Sequence, residues 1–348
     1  MTSSMSSTNP GVVQAIIWRG EQLDLLDQRR LPHETRYLHC ASAAEVAAAI
    51  HAMVVRGAPA IGIAAAWAMV LAAQAGADLA AAEKTLADSR PTAVNLAWAL
   101  ARMRVLAAQT SAQDLATVLA AEAQRIQDED LAQNHRMAEF GAALLPAGAR
   151  VLTHCNTGAL ATAGHGTALG VIRTAHAQGK LAQVYAGETR PWLQGARLTA
   201  WELQQEQIPV KLLVDGAAAS LMARGLIDWV IIGADRIAAN GDTVNKIGSY
   251  ALACAAQINR IPLMVVAPSG TFDLHCADGA AIPIEDRGPA EICSLNGQPI
   301  AAQGTQTVNP VFDVTPATMI EALVCELGVA RNPDPGKVAQ LLGGRSPA

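Results

Sequence analysis

A thiol at the end of one apolar run and a carboxylate at the end of another are the residues of this chain best placed to do chemistry. In VLTHCNTGALATAGHGTALGVI (151–172), Cys155 closes an apolar stretch and is followed at once by Asn, Thr and Gly. Asp235 stands in the same way behind WVIIGA in VIIGADRIAANGDTVNKIGSYAL. Free cysteine is commonly an inert buried residue. At a strand exit ahead of a turn and a helix start it acquires a second role, because a helix N-terminus favours the thiolate and attracts phosphate through free N–H groups. Asp235 is either a turn carboxylate paired with Arg236 or a general acid/base partly desolvated by the apolar run before it. Asn245 and Lys246 follow where a helix is expected to begin, available to orient sugar hydroxyls or a phosphate.

Two arginines raise a related choice. RGAPAIG places Arg56, Gly57 and Ala58 ahead of Pro59, and SRPTAVNLA places Arg90 directly before Pro91. Proline at the first turn of a helix is ordinary local structure. An arginine fork beside closely approaching backbone amides is also a way to hold phosphate, so both sites are candidate anion clamps.

Other chemistries fit the spacing less well. Gly164, Gly166 and Gly170 read GxGxxxG and begin well after the strand, so they do not make the tight first turn that a dinucleotide pyrophosphate needs. A nicotinamide-dependent dehydrogenase is kept only as an alternative. His154 and Cys155 are neighbours whose strand side chains would point to opposite faces, and no HExxH-like helix accompanies them. No metal is expected. A thiol hydrolase pairing Cys155 with a distant histidine stays open on sequence alone.

The elements that must position these residues change character along the chain. VVQAIIWRGEQLDLLDQRRL (12–31) reads as a small antiparallel hairpin about Arg-Gly-Glu. SAAEVAAAIHAMVV, GIAAAWAMVLAAQ, TAVNLAWALARMRVLAA and the stretch 111–145 carry helical apolar faces. From about Ala147, ARVLTH, AQVYAG, IPVKLLVD, DWVIIGAD and IPLMVVAP alternate with helical segments, which predicts a parallel sheet covered on both faces. The expected fold is α/β: a mainly helical N-terminal domain with a small antiparallel β element (1–146), then a Rossmann-like parallel-sheet domain (147–348). Open sheets of this kind bind ligands beyond the carboxyl ends of their strands. The exits HCNTG, GETRP, DGAA, GADR and APSG would then gather Cys155, Glu188, Arg190, Asp215, Asp235 and Ser269 in one crevice.

Composition narrows the function classes. The 348 residues are 51% hydrophobic, 16% charged and 3% aromatic, with a net charge of −5. Binding a nucleic acid needs a broad positive field, so nucleic acid is not an expected partner, whereas a small phosphorylated ligand needs only a few local cations. The six cysteines, at 40, 155, 254, 276, 293 and 325, form no CxxC pair and fit a reducing cytoplasm. MTSSMSSTNP lacks the basic start and apolar core of a secretory signal and reads as a flexible tail, and GGRSPA as a terminal one. The 21 uncharged residues 57–77 are rich in Ala, Gly and Gln, which predicts a buried core helix and no membrane association.

RGAPAIG, SRPTAVNLAWA, THCNTGALAT, GETRPWLQGARLTAWEL, GADRIAANGDTVNKIGSYALA, PSGTFD and IEDR, spread over about 50–290, resemble in content and order the blocks of the methylthioribose-1-phosphate isomerase family. The resemblance implies a homodimer without redox cofactor that converts 5-methylthioribose 1-phosphate to 5-methylthioribulose 1-phosphate in methionine salvage. It also implies that Cys155 and Asp235 are the catalytic pair, with substrate bound by Arg56, Gly57, Ala58, Arg90, Gln194, Asn245 and Lys246. That family is itself similar to ribose-1,5-bisphosphate isomerases and to the alpha, beta and delta subunits of the translation-initiation exchange factor. The first would act on a different sugar phosphate, 5-deoxyribose 1-phosphate being a further candidate. The second would be a non-enzymatic binding subunit, against which the intact Cys155/Asp235 pair argues.

Overall fold

The computed structural model describes residues 13–343 apart from 92 and 296. The MTSSMSSTNP segment and the GGRSPA tail beyond Gly343 lie outside the described residues. Its contacts separate two compact units: residues through Ala132 with Gly158–Gly166 and Trp201–Ile208, and Gln133–Thr157 with Thr167–Ala200 and the chain from Pro209 onward.

In the first unit the expected hairpin is β1 (Ile16–Trp18) against β2 (Leu23–Leu26), and β3 (Tyr37–Cys40) adds an unanticipated third antiparallel strand. Four helices follow: α1 (Ala43–His51), α2 (Ala58–Gln74), α3 (Leu79–Ser89) and α4 (Val94–Ala108). Ser42 and Glu45 start α1 with a reciprocal capping box. α2 is buried on every side from Ala60 to Ala72, as a helix apolar all round must be. Trp67 of α2 stacks on Trp18 at 4.5 Å between centroids and donates to Gln127 Oε1 at 2.9 Å. Among the described residues no helix is long and apolar enough to cross a membrane.

The units divide inside α5 (Leu115–Ala143), between Ala132 and Gln133. Two later segments join the first unit because buried polar groups tie them there. Glu202 accepts from the Ala159 and Leu160 amides, Gln28 donates to Leu160 O at 2.7 Å, and Asp130 accepts from Ala163 N–H at 2.7 Å.

The second unit contains the five expected strands: β4 (Ala149–Thr153), β5 (Leu181–Gly187), β6 (Val210–Leu213), β7 (Trp229–Ile232) and, after β8 (Arg236–Ala238) and β9 (Thr243–Lys246), β10 (Leu263–Val266). They alternate with α6 (Ala168–Ala177), α7 (Ala200–Gln205), α8 (Ala218–Ala223) and α9 (Ser249–Ile258); α7 falls mainly in the first unit. The sheet has seven strands in the order β6, β5, β4, β7, β10, Ala322–Cys325, Gly328–Arg331, all parallel except the last. β7 (WVII) and β10 (LMVV) are buried at every position, the pattern of strands covered on both faces. β8 and β9 belong to a second, four-stranded sheet with Phe272–Asp273 and Phe312–Thr315. Chain order reverses between β4 and β7, and their carboxyl ends carry the THCNTG and GADR turns.

Leu152 sits fully buried at the centre of this core, so Leu152→Ala is expected to cost about 2–5 kcal/mol in urea unfolding. Ile258→Ala, at a side chain 82% exposed, should stay within about 0.5 kcal/mol of the wild type.

Candidate active site

Cys155 is two residues beyond β4 and adopts φ +62°, the left-handed region that costs a non-glycine residue about 1–3 kcal/mol. The conformation persists because both sides of the residue are held. Its N–H donates to Thr189 Oγ1 at 2.9 Å, and its carbonyl accepts from Thr199 Oγ1 at 2.6 Å. Asn156, fully buried, donates through Nδ2 to the same Thr199 hydroxyl at 3.2 Å. The thiol residue is itself 7% exposed. The helix expected directly after this turn is replaced by one 3-10 turn, Ala159–Ala161, and α6 begins only at Ala168. Hydroxyl clamps from a distant segment, rather than a helix terminus, thus set the position of the cysteine.

Those clamps come from the β5 exit and the turn that follows. Thr189 is also left-handed, at φ +64°, which is unusual for a β-branched residue. Its N–H and that of Arg190 donate to the two oxygens of Asp215, each at 2.8 Å, so the exits of β4, β5 and β6 are laced through Thr189. The peptide between Arg190 and Pro191 is cis. The Arg190 guanidinium, placed by the strand pattern in the crevice, is spent on main-chain carbonyls of Pro191, Glu291 and Ile292. Ser269 is held by Glu326 through both its N–H and its hydroxyl.

Asp235 follows β7, which pairs directly with β4 through Thr153 and Ile231, so the carboxylate and the thiol leave adjacent strands. Its N–H donates to Val244 O at 2.8 Å. The partial desolvation anticipated from the apolar run is not found: the run is buried but the chain turns outward, leaving Asp235 exposed. Arg236, its neighbour in sequence, pairs with Asp273 at 3.6 Å. Asn245 and Lys246 do not start a helix. They end β9, and α9 starts three residues after Lys246, at Ser249. Asn245, 2% exposed, donates to Ser249 Oγ at 2.8 Å, while the Lys246 ammonium lies 4.3 Å from the Phe312 ring centroid.

Gln194 sits at the start of a π-turn, Gly195–Thr199. Its Oε1 is buried without a hydrogen-bond partner among the described residues, as are Thr157 Oγ1 and Trp192 Nε1. Buried polar atoms are normally satisfied by protein groups, ordered water or ligand, and these three lie in the segments that carry and clamp Cys155. In the first unit, Gly57 caps α2 at φ +94°, and a Cβ there would lie 2.6 Å from Ala161 Cα, so only glycine fits. Arg56 and Ala58 flank it. Arg90 ends α3, and α4 begins at Val94, not at Pro91.

Three residues central to this geometry have no site role assigned from the sequence: His154 and Thr189 lie inside the THCNTG and GETRP blocks, and Asp313 lies outside all of them. The ring of His154 is 3% exposed, and burial pushes its pKa below the usual value, so it is neutral and donates from Nε2 to Ile247 O at 2.8 Å. Asp313 lies opposite Asn245 and accepts from Gly248 N–H at 2.7 Å and Tyr250 N–H at 3.1 Å. Among the described residues no group of three or more His, Cys, Asp or Glu could hold a metal ion.

An open parallel sheet with a strained thiol and a carboxylate at adjacent strand exits defines an α/β protein of ligand-transforming type. The sequence model of the Initiation factor 2 subunit family matches residues 54–332. Methylthioribose-1-phosphate isomerases of Thioalkalivibrio sulfidiphilus and Alkalilimnicola ehrlichii are each 57% identical to the chain, over 95% of it and 97% and 98% of their own lengths. A crystal structure of 5-methylthioribose 1-phosphate isomerase from Pyrococcus horikoshii OT3 superposes with a TM-score of 0.92 at 40% identity, covering 95% of this chain and 96% of that one. A crystal structure described as translation initiation factor eIF-2B, subunit delta, from A. fulgidus gives 0.87 at 38%, covering 95% and 99%. The chain belongs to the Initiation factor 2 subunit family and, within it, to the methylthioribose-1-phosphate isomerase family.

Burial pushes the Asp313 carboxyl up from the ordinary 3.8 to about 6, against the pull of the Gly248 and Tyr250 amides and Lys246. The folded chain therefore holds that proton more tightly than the unfolded chain, and ionisation costs stability as pH rises from about 4 to about 6. The melting temperature of the wild type relative to Asp313→Asn is expected to fall over that interval and to run parallel above it. A difference that stays constant from pH 4 to 7 would contradict the raised pKa.

Proposed function

We propose that this chain converts 5-methylthioribose 1-phosphate to 5-methylthioribulose 1-phosphate, an aldose–ketose isomerisation in methionine salvage. The single observation that carries the reading is the clamped, left-handed Cys155 one strand away from Asp235. The high identity to proteins of that name supports the choice of substrate. The sheet is then the Rossmann-like catalytic domain, and the protein works in the cytoplasm as a homodimer. Arg56, Arg90, Lys246 and the Gly57–Ala58 amides at the start of α2 hold phosphate, and Gln194 and Asn245 orient sugar hydroxyls.

The phosphate on the anomeric oxygen prevents simple opening to a free aldehyde, so the ring must open with phosphate retained. A proton is delivered to the ring oxygen as its bond to C1 breaks, and the 2-hydroxyl must lose a proton as C2 becomes a carbonyl. An exposed carboxyl can perform both transfers, first as acid and then as base, and we assign them to Asp235. Hydrogen passes from C2 to C1 in between. Either a base removes it as a proton and returns it to C1 through a phosphoenolate, or it moves as hydride to the electron-poor C1. Cys155, buried and fixed, is assigned to that bond, as the acid/base of the first route or the wall that shapes the second.

Cys155→Ser and Asp235→Asn are each expected to lower kcat by about 10²–10⁴-fold with melting temperatures near wild type. Near-normal turnover in either variant removes that residue from the mechanism. Running the reaction in deuterium oxide separates the two hydrogen routes, since solvent label at C1 of the product requires the proton route. Comparing turnover of methylthioribose 1-phosphate, 5-deoxyribose 1-phosphate and ribose 1,5-bisphosphate tests the substrate, and preference for the bisphosphate overturns it. Ligand binding with no turnover of any of the three would mark a binding subunit.

A further inference from the structure

The peptide unit joining Ile247 to Gly248 is engaged at both ends. Its carbonyl accepts from His154 Nε2 at 2.8 Å, and its N–H donates to Asp313 Oδ2 at 2.7 Å. A peptide polarised by a carboxylate on its N–H is a better acceptor at its oxygen, so the two bonds reinforce one another. The receiving imidazole belongs to the residue immediately before Cys155.

The space around that ring is cut to fit it. A Cβ at Gly248, which sits at φ +101°, would come within 3.0 Å of Nε2, and one at Gly187 within 3.1 Å of Nδ1. Thr189 Oγ1, which accepts from the Cys155 N–H, lies 3.5 Å from Nδ1. The ring is thus bracketed by the ends of β5 and the start of α9, and its other nitrogen faces the hydroxyl that clamps the cysteine.

We propose that Asp313 and His154 act as positioning residues for Cys155: through the Ile247–Gly248 peptide, the carboxylate fixes the imidazole, and the imidazole fixes the left-handed turn that aims the thiol. The inference rests on the isomerase reading, because its effect is read in turnover. Neither residue needs to touch substrate. Each acts by holding the cysteine within the few tenths of an ångström over which a reacting geometry is productive. Asp313 itself lies on the strand Phe312–Thr315, paired with β9 opposite Asn245, and its carboxylate fastens that strand to the start of α9, next to two proposed substrate-binding positions, Asn245 and Lys246.

The test is a double-mutant cycle with steady-state turnover of methylthioribose 1-phosphate. Asp313→Asn and His154→Leu are each expected to lower kcat roughly tenfold to a hundredfold, with KM within about threefold of wild type. His154→Gln, which keeps a donor near the place of Nε2, should recover most of the His154→Leu loss. Because the two residues act along one path, the double variant should lose no more than the worse single variant. Multiplying losses, or unchanged kcat in Asp313→Asn, overturns the proposal. So does a kcat loss in both variants that disappears when the assay is run well below their melting temperatures, since that marks a structural effect alone. If either variant melts below any workable assay temperature, Asp313→Glu and His154→Asn replace them in the same cycle: kcat losses that do not multiply support the path, and multiplying losses or unchanged kcat overturn it. A wild type that turns over none of the substrate rejects the isomerase reading itself, an outcome distinct from active wild type with unaffected variants.

Discussion

The constraint on which the site depends is the unfavourable backbone conformation of Cys155. A left-handed non-glycine residue relaxes unless its neighbours over-determine it, and here two threonine hydroxyls grip its N–H and its carbonyl. Both threonines lie in one segment, GETRPWLQGARLT, which leaves β5 and turns back through a cis Arg190–Pro191 peptide and a π-turn. That segment holds the cysteine only because Asp215, beyond β6, holds the Thr189 and Arg190 amides in turn. Strain at one residue is therefore distributed over three neighbouring strand exits, from β4 inside the parallel sheet to β6 at its edge.

The two reactive groups have opposite environments, and the difference suits their assigned work. The cysteine is almost wholly enclosed, which under the proposed mechanism keeps water from the reacting bond. Asp235 is exposed on the neighbouring exit, as the proposed exchange of its proton with solvent requires. Gln194, Thr157 and Trp192 each hide a polar atom that finds no partner among the described residues.

Much of this was legible in the chain. β7 and β10 are legible as short apolar runs because parallel strands buried on both faces leave no room for polar alternation, and the exits of β4 and β7 carry Cys155 and Asp235. The second sheet was not legible: β8 and β9 are short, and three of the four residues of β9 are polar, so Asn245 and Lys246 read as the approach to a helix. The exposure of Asp235 escaped for a related reason, since an apolar run fixes where a strand is buried but not which way the chain turns after it. The contact division inside α5 has no signature because a continuous helix has no linker. Thr189, Thr199 and Asp313 act through contacts with residues 34, 44 and 65 positions away, respectively, and no local pattern encodes such partners.

Fold alone does not decide between the names carried by similar structures, for a protein described as a translation-factor subunit superposes almost as well as one described as an isomerase. The cost of the site favours the isomerase reading. A binding surface needs shape and charge but no reason to hold a cysteine in a left-handed turn. That turn opposes stability, and the two hydrogen bonds of the Ile247–Gly248 peptide, one of them from the residue before it, offset part of the cost. Under the proposed reading the cost has a purpose, because reacting atoms must be aligned before the barrier is crossed and the alignment has to be built into the resting protein.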